Sequence, residues 1–193
     1  GMTVKYNGGL STGVIGSINS VTQYSLTANA AAVGTFNDAT YGYPAARTLT
    51  LAGSSTAGNS IAGNLRNSTA SGSGVLSLTK SGTGTWALNG ANTYTGATTV
   101  NDGTLKAGNA TTFNNLGTLA LSAAGVFDLN GFNAAFTNIS ASAATNLITD
   151  NSAGAGLSTL TISNQSSTTA ALVKNGPSKA LKVNFRNANS GNT

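Results

Sequence analysis

Few side chains in this sequence can carry acid–base or metal chemistry. Its 193 residues include no histidine and no cysteine, which excludes a Ser-His-Asp triad, a histidine or thiolate metal site and any disulfide. The acidic residues are four aspartates: Asp38, Asp102, Asp128 and Asp150. Hydrolysis of sugars by paired carboxylates is therefore the enzymatic chemistry that remains open.

The spacing of two aspartates and a lysine suggests that they lie side by side. Asp128 and Asp150 are 22 positions apart, and Lys106 precedes Asp128 by 22. In a chain coiled with that period, they would form one outward column. Such a column could be a strip that cleaves sugars or binds cations. Alternatively, it could be a surface ion pair worth under about 1 kcal/mol. We favour the ion pair and expect no catalytic residue, no metal site and no cofactor. Asp102, just before Gly103, is predicted to be a turn residue.

The aromatic residues offer one candidate binding platform. Tyr41 and Tyr43 precede Pro44, and Arg47 lies three residues further on. Tyrosine faces beside a hydrogen-bond donor can stack on sugar rings, so Tyr41, Tyr43 and Arg47 are the predicted glycan site. The alternative is that these residues staple a loop over a hydrophobic end.

The distribution of charged and apolar residues argues against two classes of partner, nucleic acids and membranes. Only 7% of the residues are charged, and the net charge of +5 comes from cationic residues scattered along the chain. Nucleic-acid binders concentrate such residues on one face, so we expect no nucleic-acid partner. The sequence has no run of about 18 apolar residues, so we expect no membrane insertion by this segment. Frequent glycine and threonine favour strands and turns over helices.

A short phrase recurs along the chain, consisting of a turn glycine and then a strand with alternating apolar residues. It occupies residues 84–88, 103–107, 117–121 and 125–129. Apolar residues also recur every 19–22 positions in two series, which are Trp86, Leu105, Phe127 and Leu147, and Leu119, Ile139, Leu160 and Leu181. One shared period predicts a parallel β-helix with about 20–22 residues and two or three short strands per rung. An antiparallel β-sandwich is the alternative, because it also has short strands and turns but needs no shared period.

The chain divides into an irregular beginning and a regular remainder. Residues 1–45 are predicted to be an N-terminal cap, and residues 46–193 to be the rungs of a single continuous domain that is a fragment of a longer chain. Repeat proteins need such caps because an open end exposes core and unpaired backbone. The predicted core consists of Leu76, Leu78, Trp86, Leu88, Val100, Leu105, Leu119, Leu121, Phe127, Leu129, Ile139, Leu160 and Ile162.

One stretch of the chain resembles a known family. Residues 78–88 read Leu-Thr-Lys-Ser-Gly-Thr-Gly-Thr-Trp-Ala-Leu, residues 92–96 read Asn-Thr-Tyr-Thr-Gly, and residues 98–105 read Thr-Thr-Val-Asn-Asp-Gly-Thr-Leu. This stretch closely resembles the passenger-associated repeat of bacterial autotransporters. Trp86 stands where the family usually has leucine, and Ala97 where it often has a second glycine.

The resemblance implies a right-handed parallel β-helix and an exported protein rather than an enzyme. It implies a structural or adhesive passenger segment that aids its own secretion and folding. We expect a secreted or bacterial cell-surface location, with tethering to the outer membrane through parent regions that this sequence lacks. Partners open to such a segment are a cell-surface glycan, host matrix or another copy of itself. Two alternatives are a polysaccharide-acting β-helix enzyme and a carbohydrate-binding module.

Overall fold

The computed structural model describes residues 3–6, 14–20, 23–28, 35–40, 46–67, 74–113, 116–153, 156–164, 172–175 and 180–186. These residues form β-strands and turns and contain no helix. The strands are β1 (Thr3–Tyr6), β2 (Val14–Ser20), β3 (Gln23–Ala28), β4 (Thr35–Thr40), β5 (Arg47–Gly53), β6 (Asn59–Ile61), β7 (Leu76–Lys80), β8 (Thr85–Leu88), β9 (Thr98–Val100), β10 (Thr104–Ala107), β11 (Leu116–Leu121), β12 (Val126–Asp128), β13 (Ala134–Ala141), β14 (Leu147–Thr149), β15 (Leu157–Ile162), β16 (Leu172–Val173) and β17 (Ala180–Phe185).

The strands alternate between two sheets. One sheet has the order β1-β4-β6-β8-β10-β12-β14-β16, and the other has the order β17-β15-β13-β11-β9-β7-β5-β3-β2. From β3 onwards, each rung is an odd-numbered strand followed by an even-numbered one, and successive rungs pair in parallel. This arrangement confirms the predicted all-β parallel solenoid and rules out the antiparallel sandwich.

The first two strands pair differently from the rest. β1 is antiparallel to β4, and β2 is antiparallel to β3. β3 and β4 themselves pair in parallel with β5 and β6. The division of the chain at residue 45 remains a prediction.

The rungs are regular in the middle of the chain and longer on both sides. Leu78 pairs with Thr98, 20 residues later, and Leu119 pairs with Ile139, also 20 residues later. Leu49, by contrast, is 29 residues before its partner Leu78. The predicted period therefore holds for the central rungs only.

The predicted series Leu119, Ile139, Leu160 and Leu181 is wrong in its second half. Leu119 lies level with Ile139, but Leu160 lies level with Ala134 and Leu181 with Ser158. The cause is the connection between β13 and β15, which adds residues to that rung and shifts the register of every strand after it.

The other predicted series, Trp86, Leu105, Phe127 and Leu147, is wrong only at its last member. Trp86, Leu105 and Phe127 are successive partners, as predicted, but Phe127 pairs with Ile148 and not with Leu147. Ile148 is buried and Leu147 is partly exposed, because adjacent residues of a strand face opposite sides of the sheet.

The space between the two sheets holds a single apolar core. All thirteen residues predicted for that core are buried, and Leu49, Leu51, Ile61 and Tyr94 join them. Three phenylalanines pack together in this core: the ring centres of Phe113 and Phe127 are 4.9 Å apart, and those of Phe127 and Phe136 are 5.4 Å apart, both edge to face. Such edge-to-face pairs add to the stabilisation from buried area.

Close approach of the rungs at their corners gives a first prediction. A Cβ atom on Gly84 would lie 2.5 Å from the carbonyl oxygen of Ser55 and 2.8 Å from that of Gly53, both on the preceding rung. Because these are backbone atoms that cannot swing aside, we expect Gly84→Ala to lower the free energy of unfolding by roughly 1–3 kcal/mol, the range for overpacking. Denaturant melts followed by circular dichroism measure this change.

Gly58→Ala is the matched control. A Cβ on Gly58 would meet no heavy atom within 4 Å, so its stability is expected to stay within about 0.5 kcal/mol of the wild type. Equal stability of the two variants would contradict close rung stacking at Gly84.

Candidate functional site

The corner that follows β7 is built around a buried lysine. Lys80 is 0% exposed, and its Nζ donates hydrogen bonds to the carbonyl oxygens of Ser81 (3.0 Å), Gly82 (2.6 Å) and Asp102 (3.0 Å). The first two carbonyls belong to the corner of its own rung, and the third belongs to the corner of the next. An ammonium has three donors, so Lys80 uses all of them to join two rungs.

This environment changes the proton affinity of the lysine. Burial lowers the pKa of Lys80 from 10.5 to about 8, and the negative charge of Asp102 offsets only part of the effect. Carbonyl dipoles solvate the ammonium less completely than water does, which favours the neutral amine. Because Lys80 is enclosed, it is placed to hold the two corners together and not to attack a substrate.

Asparagine side chains make the same kind of connection at the opposite corner. Asn92, which is buried, accepts the backbone N–H of Leu65 through Oδ1 (2.8 Å) and donates through Nδ2 to the carbonyl of Thr112 (3.1 Å). These partners lie 27 residues before and 20 residues after it, so one amide links three rungs. Asn67 accepts the N–H groups of Leu76 and Thr95 in a similar way.

The aromatic residues of the repeat are structural. Tyr94 is fully buried, and its hydroxyl hydrogen-bonds the hydroxyl of Thr98 at 2.6 Å. Burial raises the pKa of Tyr94 well above its usual range, despite the opposing hydrogen bond from Thr98. Trp86 fills the core and donates its Nε1–H to the carbonyl of Ala52 at 3.0 Å. The prediction that Trp86 belongs to the core is confirmed.

The prediction that Lys106, Asp128 and Asp150 all face outward is wrong for the two aspartates. Lys106 lies level with Asp128, and its Nζ is 3.9 Å from Asp128 Oδ2, so the ion pair exists. Asp128 and Asp150, however, are buried at 2% and 0% exposure. Asp128 ends β12 and Asp150 directly follows β14, where the backbone turns and its N–H groups leave the strand ladder. Asp128 Oδ1 accepts the N–H groups of Asn130 and Asn151, both at 2.9 Å.

Asp150 has a similar capping role. Its Oδ1 accepts the N–H groups of Gly131 (2.9 Å) and Ser152 (3.0 Å). Burial is the largest influence and raises the pKa of Asp150, but the Ser158 and Ser152 side chains and these two amides together outweigh it, so the pKa lies below its usual value. The two hydroxyls lie near enough to favour the ionised form, although neither reaches full hydrogen-bond geometry.

Asp102 is a turn residue, as predicted. Asp102 Oδ1 accepts the N–H of Gly103 at 2.8 Å, and Gly103 has a positive φ of 64°. Asn130 also has a positive φ, and its Nδ2 donates to the carbonyl of Ala107 on the preceding rung. The amides at these corners bond to backbone groups of the neighbouring rung.

The predicted glycan platform is only partly visible. Tyr41 and Tyr43 lie outside the described residues. Arg47 is buried at the start of β5, and its guanidinium donates to the carbonyl of Ala46 at 3.0 Å. The platform remains a prediction.

Sequence reasoning missed the role of Lys80, although a signal was present. Leu76, Leu78 and Lys80 occupy alternate positions of one strand, so the lysine must face the same side as the two leucines. A pocket of about 270 Å³ was also unforeseen, and its lining contains no charged residue: Ala110, Phe113, Asn133, Ala134, Ala135 and Thr161.

The described part of the chain has no group of three histidine, cysteine or acidic side chains close enough to hold a metal ion. Within the same residues, no helix has the length and hydropathy needed to cross a membrane.

The buried lysine gives a second prediction. Lys80→Met leaves three carbonyl groups of two adjacent corners without their donor, so we expect the free energy of unfolding at pH 7 to fall by about 1–3 kcal/mol. Lys106→Met is the control, because Lys106 is 32% exposed and its ion pair spans 3.9 Å, and such pairs are worth at most about 1 kcal/mol. A Lys80→Met protein as stable as Lys106→Met would contradict the clamp.

The pH dependence has a defined sign. Between pH 8 and 10.5 the unfolded chain still holds the Lys80 proton while the folded chain has lost it, so stability rises with pH. The stability advantage of the wild type over Lys80→Met is therefore expected to grow across this interval in urea melts. A constant difference would show that Lys80 titrates at its ordinary pKa.

Comparisons with known proteins agree with this geometry. Residues 78–107, which run from β7 to β10, match the family model described as passenger-associated-transport-repeat. Over 71 residues, 37% of this chain, the sequence is 44% identical to the adhesin BmaC autotransporter of Brucella suis biovar 1 (strain 1330). The matched region spans 2% of the length of that relative. No solved structure matches the chain. Residues 78–107 are therefore an autotransporter passenger repeat, whose buried lysine and asparagine bond to neighbouring rungs and whose tyrosine packs in the core.

Proposed function

We propose that this chain is a structural segment of an exported surface protein, in which stacked rungs form a stalk and assist secretion. The single observation that carries the proposal is the passenger repeat at residues 78–107, whose polar residues serve contacts between rungs. In a solenoid each rung contacts only its neighbours, so folding can proceed rung by rung as a chain emerges. The low content of charged residues, 7%, suits a chain that must be threaded unfolded.

The enzymatic alternative receives no support from the carboxylates that the structure describes in full. Asp128 and Asp150 are buried and already bond to backbone amides, so neither can approach a glycosidic bond. Asp102 caps its own turn. We therefore propose a non-enzymatic role for the segment.

Deleting whole or partial rungs tests the role in export. Leu78 and Thr98 are register partners, so removing residues 79–98 deletes one rung, including Lys80 and Asn92, and keeps the later strands in register with the earlier ones. Removing residues 79–88 deletes half a rung and shifts every later strand against its neighbour. The chain and both variants would be displayed as passengers of an autotransporter translocator in a Gram-negative host, and antibody labelling of intact cells would measure export.

We expect the half-rung deletion to be exported severalfold less than the wild type, and the in-register deletion to be exported better than the half-rung deletion. Equal export of all three would show that rung stacking does not assist secretion. Failure of the intact chain to reach the surface would contradict the passenger role itself.

An adhesive role is the second candidate, because the relative carries the name adhesin. We propose that the segment contacts a cell-surface glycan or host matrix through Tyr41 and Tyr43. A glycan array and matrix-coated surfaces would be probed with the wild type, a Tyr41→Ala/Tyr43→Ala variant and the control Thr104→Ala. We expect binding that the tyrosine variant loses and the control keeps; binding that survives without both tyrosines would remove them from the site.

A further inference from the structure

The corner between β9 and β10 holds two reactive groups of one dipeptide in contact. Asp102 Oδ1 accepts the backbone N–H of Gly103 at 2.8 Å, so the amide nitrogen of Gly103 lies against the carboxyl group that precedes it. Glycine has no side chain to shield this nitrogen, and both residues are partly exposed to water. From this arrangement an aspartate–glycine pair can close into a five-membered succinimide ring, because a nucleophile held next to its electrophile reacts faster than a free one.

The buried ammonium group of Lys80 contacts the same dipeptide. Its Nζ donates a hydrogen bond to the main-chain carbonyl oxygen of Asp102 at 3.0 Å. A charged donor on a carbonyl oxygen stabilises the negative charge that develops on that oxygen when a nucleophile adds to the carbonyl carbon. Once this carbonyl is part of a succinimide ring, Lys80 therefore activates it for attack by water.

We infer that Asp102 is a self-modification site, at which the Asp102–Gly103 pair converts into an isoaspartyl linkage assisted by Lys80. In the first step the nitrogen of Gly103 bonds to Cγ of Asp102, and the proton of that nitrogen leaves with the carboxyl hydroxyl as water. In the second step water adds to the main-chain carbonyl carbon of Asp102, and the bond from that carbon to the nitrogen breaks. The nitrogen regains a proton and keeps its bond to Cγ, and the former main-chain carbonyl becomes a free carboxylate. This reaction goes beyond the proposed role in export.

The position of Lys80 determines which way the ring opens. Water that attacks Cγ restores aspartate, and water that attacks the main-chain carbonyl carbon gives isoaspartate. All three donors of Lys80 go to main-chain carbonyls, including that of Asp102, so the second route is the one that the lysine promotes. Its product is a carboxylate on the ammonium group, and a hydrogen bond between two charged groups is stronger than one to a neutral carbonyl.

Another pair of this kind is arranged to resist the reaction. The N–H of Gly131 donates to Asp150 Oδ1 of the next rung at 2.9 Å. The side-chain amide of Asn130 donates to the carbonyl of Ala107 on the preceding rung. Both reacting groups of the Asn130–Gly131 pair are thus held by other partners, so this pair serves as an internal control.

Incubation of the purified chain for several weeks tests the inference. Mildly acidic water enriched in heavy oxygen favours loss of the carboxyl hydroxyl as water and labels both products of ring opening, and peptide mapping separates isoaspartate from aspartate. In the folded wild type we expect isoaspartate at position 102 to accumulate severalfold faster than in the same chain unfolded in guanidinium chloride. Asn130 is expected to be modified severalfold more slowly in the folded chain than in the unfolded one.

Two variants test the part played by the lysine. In folded Lys80→Met we expect the ratio of labelled isoaspartate to labelled aspartate at position 102 to fall severalfold, and in the control Lys106→Met to match the wild type. Circular dichroism establishes that each variant is folded. If Lys80→Met does not fold, the folded and unfolded wild type are compared by the same ratio, because unfolding removes the lysine from the corner.

Three outcomes would overturn the inference. The first is an absence of isoaspartate at position 102 of the folded chain, and the second is accumulation there no faster than in the unfolded chain. The third is a product ratio that stays the same when Lys80 is replaced or removed from the corner by unfolding.

Discussion

Hydrogen bonds from polar side chains of one rung to the backbone of the next are the interaction on which this fold depends. A thin solenoid has a narrow core, so apolar burial alone gives each rung limited stabilisation. At the corners, where the ladder of strand bonds stops, backbone groups would otherwise lie buried and unpaired at a cost of about 1–3 kcal/mol each. Asn92 and Lys80 satisfy such groups on two sides of the same rung.

The requirement for close corners explains the composition of the chain. Glycine occurs where backbones of adjacent rungs meet, as Gly84 does against Ser55. Asparagine occurs where an amide can both accept and donate across the gap, as Asn92 does. Charged residues are rare because most positions face a narrow core, a tight corner or an uncharged sheet surface. Where charge does occur inside, at Lys80 or Asp150, it is surrounded by backbone dipoles.

The sequence was sufficient to predict the solenoid and the composition of its core, because alternation and period reflect local geometry. That period correctly predicts that Leu119 stacks on Ile139 and that Trp86, Leu105 and Phe127 stack on one another. The position of Leu160 could not be predicted in this way, since a longer connection between β13 and β15 changes the register without changing the strand pattern. The burial of Asp128 was missed for a different reason: a polar residue at the end of a strand can face solvent or cap its own turn, and the pattern is the same in both cases.

The same constraint separates the parts of the surface that can acquire a function. A side chain that bridges rungs, such as Asn92 or Lys80, is enclosed by the bridge and cannot also meet a partner. The outward residues of the strands do not bridge rungs in this way, so their identity is free to vary as long as the strand forms. Because those positions recur with every rung, a contact made by one of them can recur along the solenoid, and weak contacts then add up to stronger attachment. In a protein of this kind, binding is therefore expected on the sheet faces and loops, while the repeat corners conserve the register that presents them.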